Sequence, residues 1–435
     1  MKTNYFLPVL LLSCLYIEAQ ETHPISLKQA IQSGLIHSKS VQAAAAATQT
    51  SAYRVKSAKN AQYPNVNVSA EYLHLFTNTN IDLQVPLPSS ESNSPSNSVS
   101  PSHLLIGQAS ASVPVFNGFK IRNLIKQSEY AVEVSKIGES ATKEDAVWQT
   151  INLYFGLYKT QQSIAVLNEN LNRAQQRVKD FQNFLDNGII AKNDFLRAKL
   201  QASNVQLTLE ETKTTYKNLN YRLNLLIGLP ENEVIEVEQA SQLPLIPTPN
   251  ATYTHRKDVQ SLEEQSKITK NAISIARSGY YPSLGISAGY IAFDLDQVVK
   301  VTNATNVGVA LKYDLTSIFK NRAEVKIAKS RDIENDYQLA LLQDKAKVET
   351  QEAYNKYALA IKKNVVIADA LEQADENYRI VKDKYDNGLA DTDDLLEADV
   401  QQLQAQINQV LGEVDQQLSI YEYAFTTGNL LENVQ

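Results

Sequence analysis

The chain has 435 residues, a formal net charge of −7, 20% charged and 43% hydrophobic residues. That balance excludes a disordered chain, and its acidity argues against a nucleic-acid surface. The one cysteine, Cys14, lies in an N-terminal leader, so the rest of the chain has no thiol for disulfides or thiolate metal sites.

Residues 1–19 read as a secretory signal peptide, with Lys2 as the charged start and an apolar core from Tyr5 to Ile17. Ile17 and Ala19 fit the −3 and −1 positions of a cleavage site, giving a mature start at Gln20. Acylation at Cys14, after Leu11-Leu12-Ser13, is the alternative. No other stretch approaches the roughly 20 apolar residues of a spanning helix. A membrane would therefore be crossed with strands.

Residues 21–40 are polar, with a short amphipathic turn or two. A helix opens at His37, runs through Ala43 to Ala47 and reaches about Gln62, where Tyr63-Pro64 stops it. Val66, Val68, Ala70 and Tyr72 then alternate with Asn65, Asn67, Ser69 and Glu71, the pattern of a half-buried strand. Residues 74–104 form a Ser/Asn/Pro-rich loop. A second strand sets Ala109, Ala111, Val113 and Val115 against Gln108, Ser110 and Ser112, and Pro114 to Phe119 turns the chain out of it.

The spacing predicts one helix from Lys120 to Asp186, its later part carrying the seam Ile164, Leu167, Leu171, Ala174, Val178, Phe181 and Leu185. Asp186-Asn187-Gly188 ends it, because glycine takes the left-handed C′ conformation without a Cβ penalty. A new helix starts near Asn193, a good N-cap type. Its seam is Phe195, Ala198, Ala202, Val205, Leu209, Thr212, Tyr216, Leu219, Leu223 and Leu226, and Gly228-Leu229-Pro230 closes it. Residues 231–253 form a proline-containing linker.

The chain then repeats. His255 to Gln260 matches the stretch from His37, and Tyr281-Pro282 opens a strand like Tyr63-Pro64. Another strand is expected at Val309, Leu311, Tyr313 and Leu315, with Lys312 and Asp314 on its other face. Phe319-Lys320 and Arg322 match Phe119-Lys120 and Arg122, and the second hairpin loop is the shorter. Asp386-Asn387-Gly388-Leu389 repeats the turn Asp186-Asn187-Gly188-Ile189, with a helix expected from Asp393. Seams at Ile367, Leu371, Ala374, Tyr378, Val381 and Tyr385, then Leu396, Val400, Leu403, Ile407, Val410, Val414 and Tyr421, flank it. The organisation is thus a signal peptide at 1–19, repeats at 20–230 and 254–435, and a linker at 231–253.

His23, His37, His74, His103 and His255 never fall at metal-ligand spacing. Asp391, Asp393 and Asp394 mimic the start of a calcium loop, but Leu396 and Gln402 fail its sixth and twelfth positions. There is no Ser/His/Asp set, no phosphate-binding glycine loop and no catalytic pair, so neither an enzyme nor a cofactor is expected. Four strands per chain cannot close a barrel, and an open edge in lipid leaves backbone groups unpaired. Copies must pool strands; three give twelve, and two already reach eight.

With its duplicated halves, Tyr-Pro strand starts, Val113-Pro114-Val115-Phe116-Asn117-Gly118 before the long helix and paired glycine turns, the chain resembles the TolC-like outer-membrane efflux protein family. The resemblance covers nearly the whole mature chain. It implies a mainly α fold with a β-barrel portion: a homotrimer whose twelve-stranded barrel sits in outer-membrane lipid and continues into a helical barrel across the periplasm. It places an equatorial belt at 231–253 with both chain ends. It implies an exit channel for efflux or type I secretion, served by a periplasmic adaptor and an inner-membrane transporter. Gly188, Ile189, Gly388 and Leu389 become adaptor-docking tips, and Asp394 and Glu397 line the entrance. Tyr385 and Asp194 become gating candidates, although the usual basic partner of the tyrosine is Ala390 here. A periplasmic coiled-coil adaptor or scaffold is the competing class; it explains the seams but not the four strands.

Overall fold

The computed structural model describes residues 23–76, 81–82, 98–99, 101–240, 245–249, 252–296 and 298–434. The expected signal peptide, its cleavage site and Cys14 lie outside them, as does most of the Ser/Asn/Pro-rich loop. In chain order the first half runs β1 (His23–Ile25), α1 (Leu27–His37), α2 (Lys39–Asn60), β2 (Asn65–His74), β3 (Ile81–Asp82), β4 (Ser98–Val99), β5 (His103–Asn117), α3 (Lys120–Asp186) and α4 (Lys192–Ile227). After β6 (Ile235–Val237) the second half runs α5 (Lys257–Ser278), β7 (Ser283–Leu295), β8 (Val299–Lys312), α6 (Ser317–Asp386), α7 (Thr392–Thr426) and α8 (Leu430–Val434). The described residues fall into two compact units, those within 1–44, 139–257 and 343–435 forming one and those within 45–138 and 258–342 the other. Among the described residues no helix is long and apolar enough to cross a membrane.

The helical unit has its main core where α1, α3, α4, α7 and α8 meet the linker. Tyr154, Phe155, Leu223, Ile227, Ile235, Ala424 and Leu430 are all buried there. The helix α1 was not expected from the sequence; Ser26 and Gln29 form a capping box that starts it, and the backbone bends at Ser38 before α2. The linker is not free chain. β6 pairs in parallel with β1, Ile235 opposite His23. So short a ladder leaves backbone groups over, and helix side chains take them up. Asn220 bonds both Ile235 N (2.9 Å) and Glu233 O (2.6 Å). The Tyr154 hydroxyl shares its one proton between Ile25 O and Glu238 O, at 2.9 and 2.8 Å, and burial pushes its pKa up to about 12. A second cluster, Leu167, Val205 and Leu209, buries the expected seam between α3 and α4.

The other unit holds a four-stranded antiparallel sheet in the order β2-β5-β7-β8. Directly opposed residues of an antiparallel pair share a face, so the registers define two faces. One carries the rows Val66–Ala111–Ala288–Val307 and Val68–Ala109–Tyr290–Thr305. The other carries Asn65–Ser112–Ser287–Gly308 and Asn67–Ser110–Gly289–Asn306. Towards the two hairpins the polarity exchanges. The first face reaches Tyr72–Leu105–Asp294–Lys300, while the second reaches Glu71–Ile106–Phe293–Val301 and Leu73–Leu104–Leu295–Val299.

Two strand expectations need correction. Strand β2 is not half-buried: all ten residues are exposed, with Val68 at 80%. Its alternation is real, but among the described residues nothing covers the apolar side. Strand β8 stops at Lys312, so Tyr313, Asp314 and Leu315 lie beyond it. Asp314 ends it, its carboxylate accepting bonds from Thr316 N (3.0 Å) and Thr316 Oγ1 (2.5 Å). Such a side-chain turn competes with the ladder.

Candidate functional site

The two glycine turns are built alike. Gly188 (φ +72°) donates to Leu185 O at 2.9 Å and Ile189 N to Phe184 O at 2.8 Å. Gly388 (φ +70°) donates to Tyr385 O at 3.0 Å and Leu389 N to Lys384 O at 2.8 Å. This crossed pair of bonds is the Schellman motif, which satisfies the last carbonyls of a helix. Among the described residues nothing lies within 4 Å of a Cβ built on either glycine, and Ile189 and Leu389 are 68% and 78% exposed. Each turn therefore presents an uncovered apolar residue beside a bare backbone.

The helices after the turns begin earlier than expected. Their N-caps are Ala191 and Asp391, not Asn193 and Asp393. Asp391 Oδ1 accepts from Asp394 N at 3.0 Å and Asp394 Oδ2 from Asp391 N at 3.5 Å, a reciprocal capping box. Asp194 makes half of this box, its carboxylate accepting from Ala191 N at 3.3 Å. Asp394 and Glu397 are both exposed, and Glu397 Oε1 accepts from Gln401 at 3.0 Å. Asp393 pairs with Arg197, tying the two turn regions together.

Tyr385 and Asp194 are brought together. The Tyr385 ring stacks on Phe181 at 5.9 Å between centroids. Burial pushes its phenol up, with the Asp194 charge adding to the effect; a hydrogen bond to Thr392 and the Arg177 charge oppose it. Ala390 offers no cation, but Arg177 does.

Sequence reasoning missed the group around that arginine. Arg177 forms a two-pronged ion pair with Asp399, Nη1 to Oδ2 at 3.0 Å and Nη2 to Oδ1 at 3.2 Å. Nη2 also reaches the Tyr378 hydroxyl at 3.2 Å, and Gln201 donates to Asp399 Oδ2 at 2.9 Å. The four residues come from α3, α6, α7 and α4. Asp399 is fully buried. Burial alone would lower the Arg177 pKa; the Asp399 hydrogen bond and charge, with Tyr378, raise it instead. The available signal was a charge on each of two helices just inside a seam, but only the fold pairs them.

The outer membrane efflux protein family model matches residues 30–229 and 248–422. The outer membrane efflux protein BepC of Brucella suis biovar 1 (strain 1330) is 20% identical over 329 residues, 73% of this chain and 70% of that protein. The outer-membrane channel OprN superposes with a TM-score of 0.76 at 17% identity, covering 93% of this chain and 90% of its own. The Campylobacter jejuni CmeC outer membrane channel gives 0.79 at 17% identity, covering 93% and 86%.

Proposed function

The chain belongs to the outer membrane efflux protein family, and from that membership we propose that three copies assemble into the exit channel of a tripartite efflux system. The protein is an outer-membrane efflux channel that extends into the periplasm, which sets aside the adaptor or scaffold class. We assign it no catalytic step. The observation that carries the assembly is an open four-stranded sheet with an exposed apolar face, Val68 and Val307 being 80% and 82% exposed. An apolar face fits lipid, and unpaired edges do not. From Leu284 to Asp294 the strand climbs about 34 Å at about 3.4 Å per residue. At a tilt of about 40° that is roughly 26 Å, against an apolar band of about 25 Å in such barrels. Below it Phe116, Phe119 and Tyr281 pack edge to face, as an aromatic girdle does. Mass measurement of the detergent-solubilised protein should give three chains; a stable monomer overturns the assembly.

The turns at Gly188-Ile189 and Gly388-Leu389 dock the periplasmic adaptor, which in turn engages an inner-membrane transporter. Their exposed apolar tips and bare glycines support that role. Ile189→Glu with Leu389→Glu should leave the trimer intact and abolish export; full export would remove the docking role. Tyr385, Asp194 and Arg177 form the gate region, Arg177 supplying the positive charge that position 390 lacks. Three copies of Asp394 and Glu397 line the entrance and favour cations. Reversal potentials under a salt gradient test this: the double alanine variant should lose selectivity.

A further inference from the structure

The exchange of polarity near the hairpins is unexplained by a channel whose wall is uniformly wet. Over most of the sheet the face opposite the lipid side carries amides and hydroxyls, such as Asn67, Ser110 and Asn306. In its last two rows every residue is apolar except Glu71 on the edge strand β2. At the same height the lipid side turns polar, with Asp294 paired to Lys300 at 2.8 Å and the Tyr72 ring stacked on His103. The sheet there has left the hydrocarbon, yet its inner face is apolar.

We propose that these inner rows form a binding site for cationic amphiphiles at the external end of the channel. The inference rests on the trimeric barrel described above. Eight strands make a barrel whose interior side chains just fill, and diameter grows with strand number. Twelve leave a lumen too wide for the apolar rows to meet across it, so they stand as a wall facing water. Such a wall favours any solute with apolar surface. Among the described residues of these rows the one ionisable group per copy is Glu71, exposed and directly opposite Ile106, whose other neighbour is Phe293. The other charge on this face, Lys312, lies at the far end of β8. An organic cation thus finds an apolar surface in Ile106, Phe293 and Leu104, an aromatic ring for cation–π contact, and a carboxylate beside them. An apolar anion meets the same wall with the wrong charge. Binding must stay weak, because a solute that enters has to leave.

The test uses the wild-type trimer in planar bilayers, with tetraphenylphosphonium added on the external side. Block should occur at lower concentration than with tetramethylammonium, which lacks the apolar body, or tetraphenylborate, which carries the opposite charge. Glu71→Gln and Phe293→Ser should each weaken block roughly threefold or more, with open conductance unchanged. Alanine at Asp394 and Glu397 should leave external block as it was. Where a variant inserts poorly, equilibrium dialysis of tetraphenylphosphonium against the detergent-solubilised trimer reads the same difference. Equal block by the two cations, an unchanged Glu71→Gln, or loss of block in the entrance variant overturns the site while the channel stands. A lipid-inserted trimer without conductance overturns the channel reading and this one with it.

Discussion

Arg177 and Asp399 are the residues on which four helices depend at one point. Removing one partner strands a buried charge, which costs about 3–5 kcal/mol in such pairs, whereas replacing both by apolar residues of similar size is often neutral. Arg177→Leu should therefore lower the denaturation midpoint of the helical signal sharply, and Arg177→Leu with Asp399→Leu should recover most of it. A double variant as unstable as the single would mean that the packing and not the charge is at stake. Glu144 shows the opposite economy. It is 5% exposed, and burial raises its pKa, against Lys257 and the backbone N–H groups of Leu430 and Leu431 that pull it down. A carboxyl with a raised folded pKa stabilises the fold below its unfolded value near 4.5, and that contribution is lost as pH rises through the folded value. Glu144→Gln should flatten the pH dependence over that window and protect the α8 amides at neutral pH, read by hydrogen exchange.

The two helices after the turns differ by one capping side chain. Asp391 completes its box, but Ala191 has the same extended backbone (φ −79°, ψ 156°) and no side-chain acceptor. A serine there would complete the box with Asp194 and stabilise the start of α4 by about 1 kcal/mol. Slower amide exchange in the first turn of Ala191→Ser is the expected reading; unchanged exchange would mean the cap is already satisfied by water. This is also the scale at which the sequence was most legible. The long helix ends at Asp186 as expected because seam and stop signal are local. Strand pairing was visible in the alternation of Val66 to Tyr72, since period two survives whatever covers the face. What escaped needed partners far along the chain. Helix α1 is short and amphipathic, and its capping box matters only because Ala30 and Ile31 find a core built from α3, α4 and the linker. The end of β8 was missed because Asp314 bonds its own backbone, a choice that alternation does not report. The turn sites were legible as turns, whereas the Arg177–Asp399 pair spans two halves and has no spacing to read.

At the scale of the whole molecule, the orientation of the sheet decides whether the channel reading holds. Val307 lies in a middle row of the apolar face, opposite Ala288, while its neighbour Asn306 points to the other side, opposite Gly289. If the apolar face meets lipid, an arginine at 307 sits near the bilayer midplane, where a charge costs about 2–4 kcal/mol. Three copies in the proposed trimer multiply that cost within one barrel. An arginine at 306 would enter water in the lumen and cost little. Both positions are on the edge strand β8 and differ by one residue, so strand propensity and edge pairing are matched between them. Val307→Arg should cut the fraction of trimer recovered from outer membranes severely, and Asn306→Arg should leave assembly near wild type while shifting the channel towards anions. The reverse order, with 306 failing and 307 tolerated, would turn the sheet inside out and remove the lumen wall on which the external binding site depends.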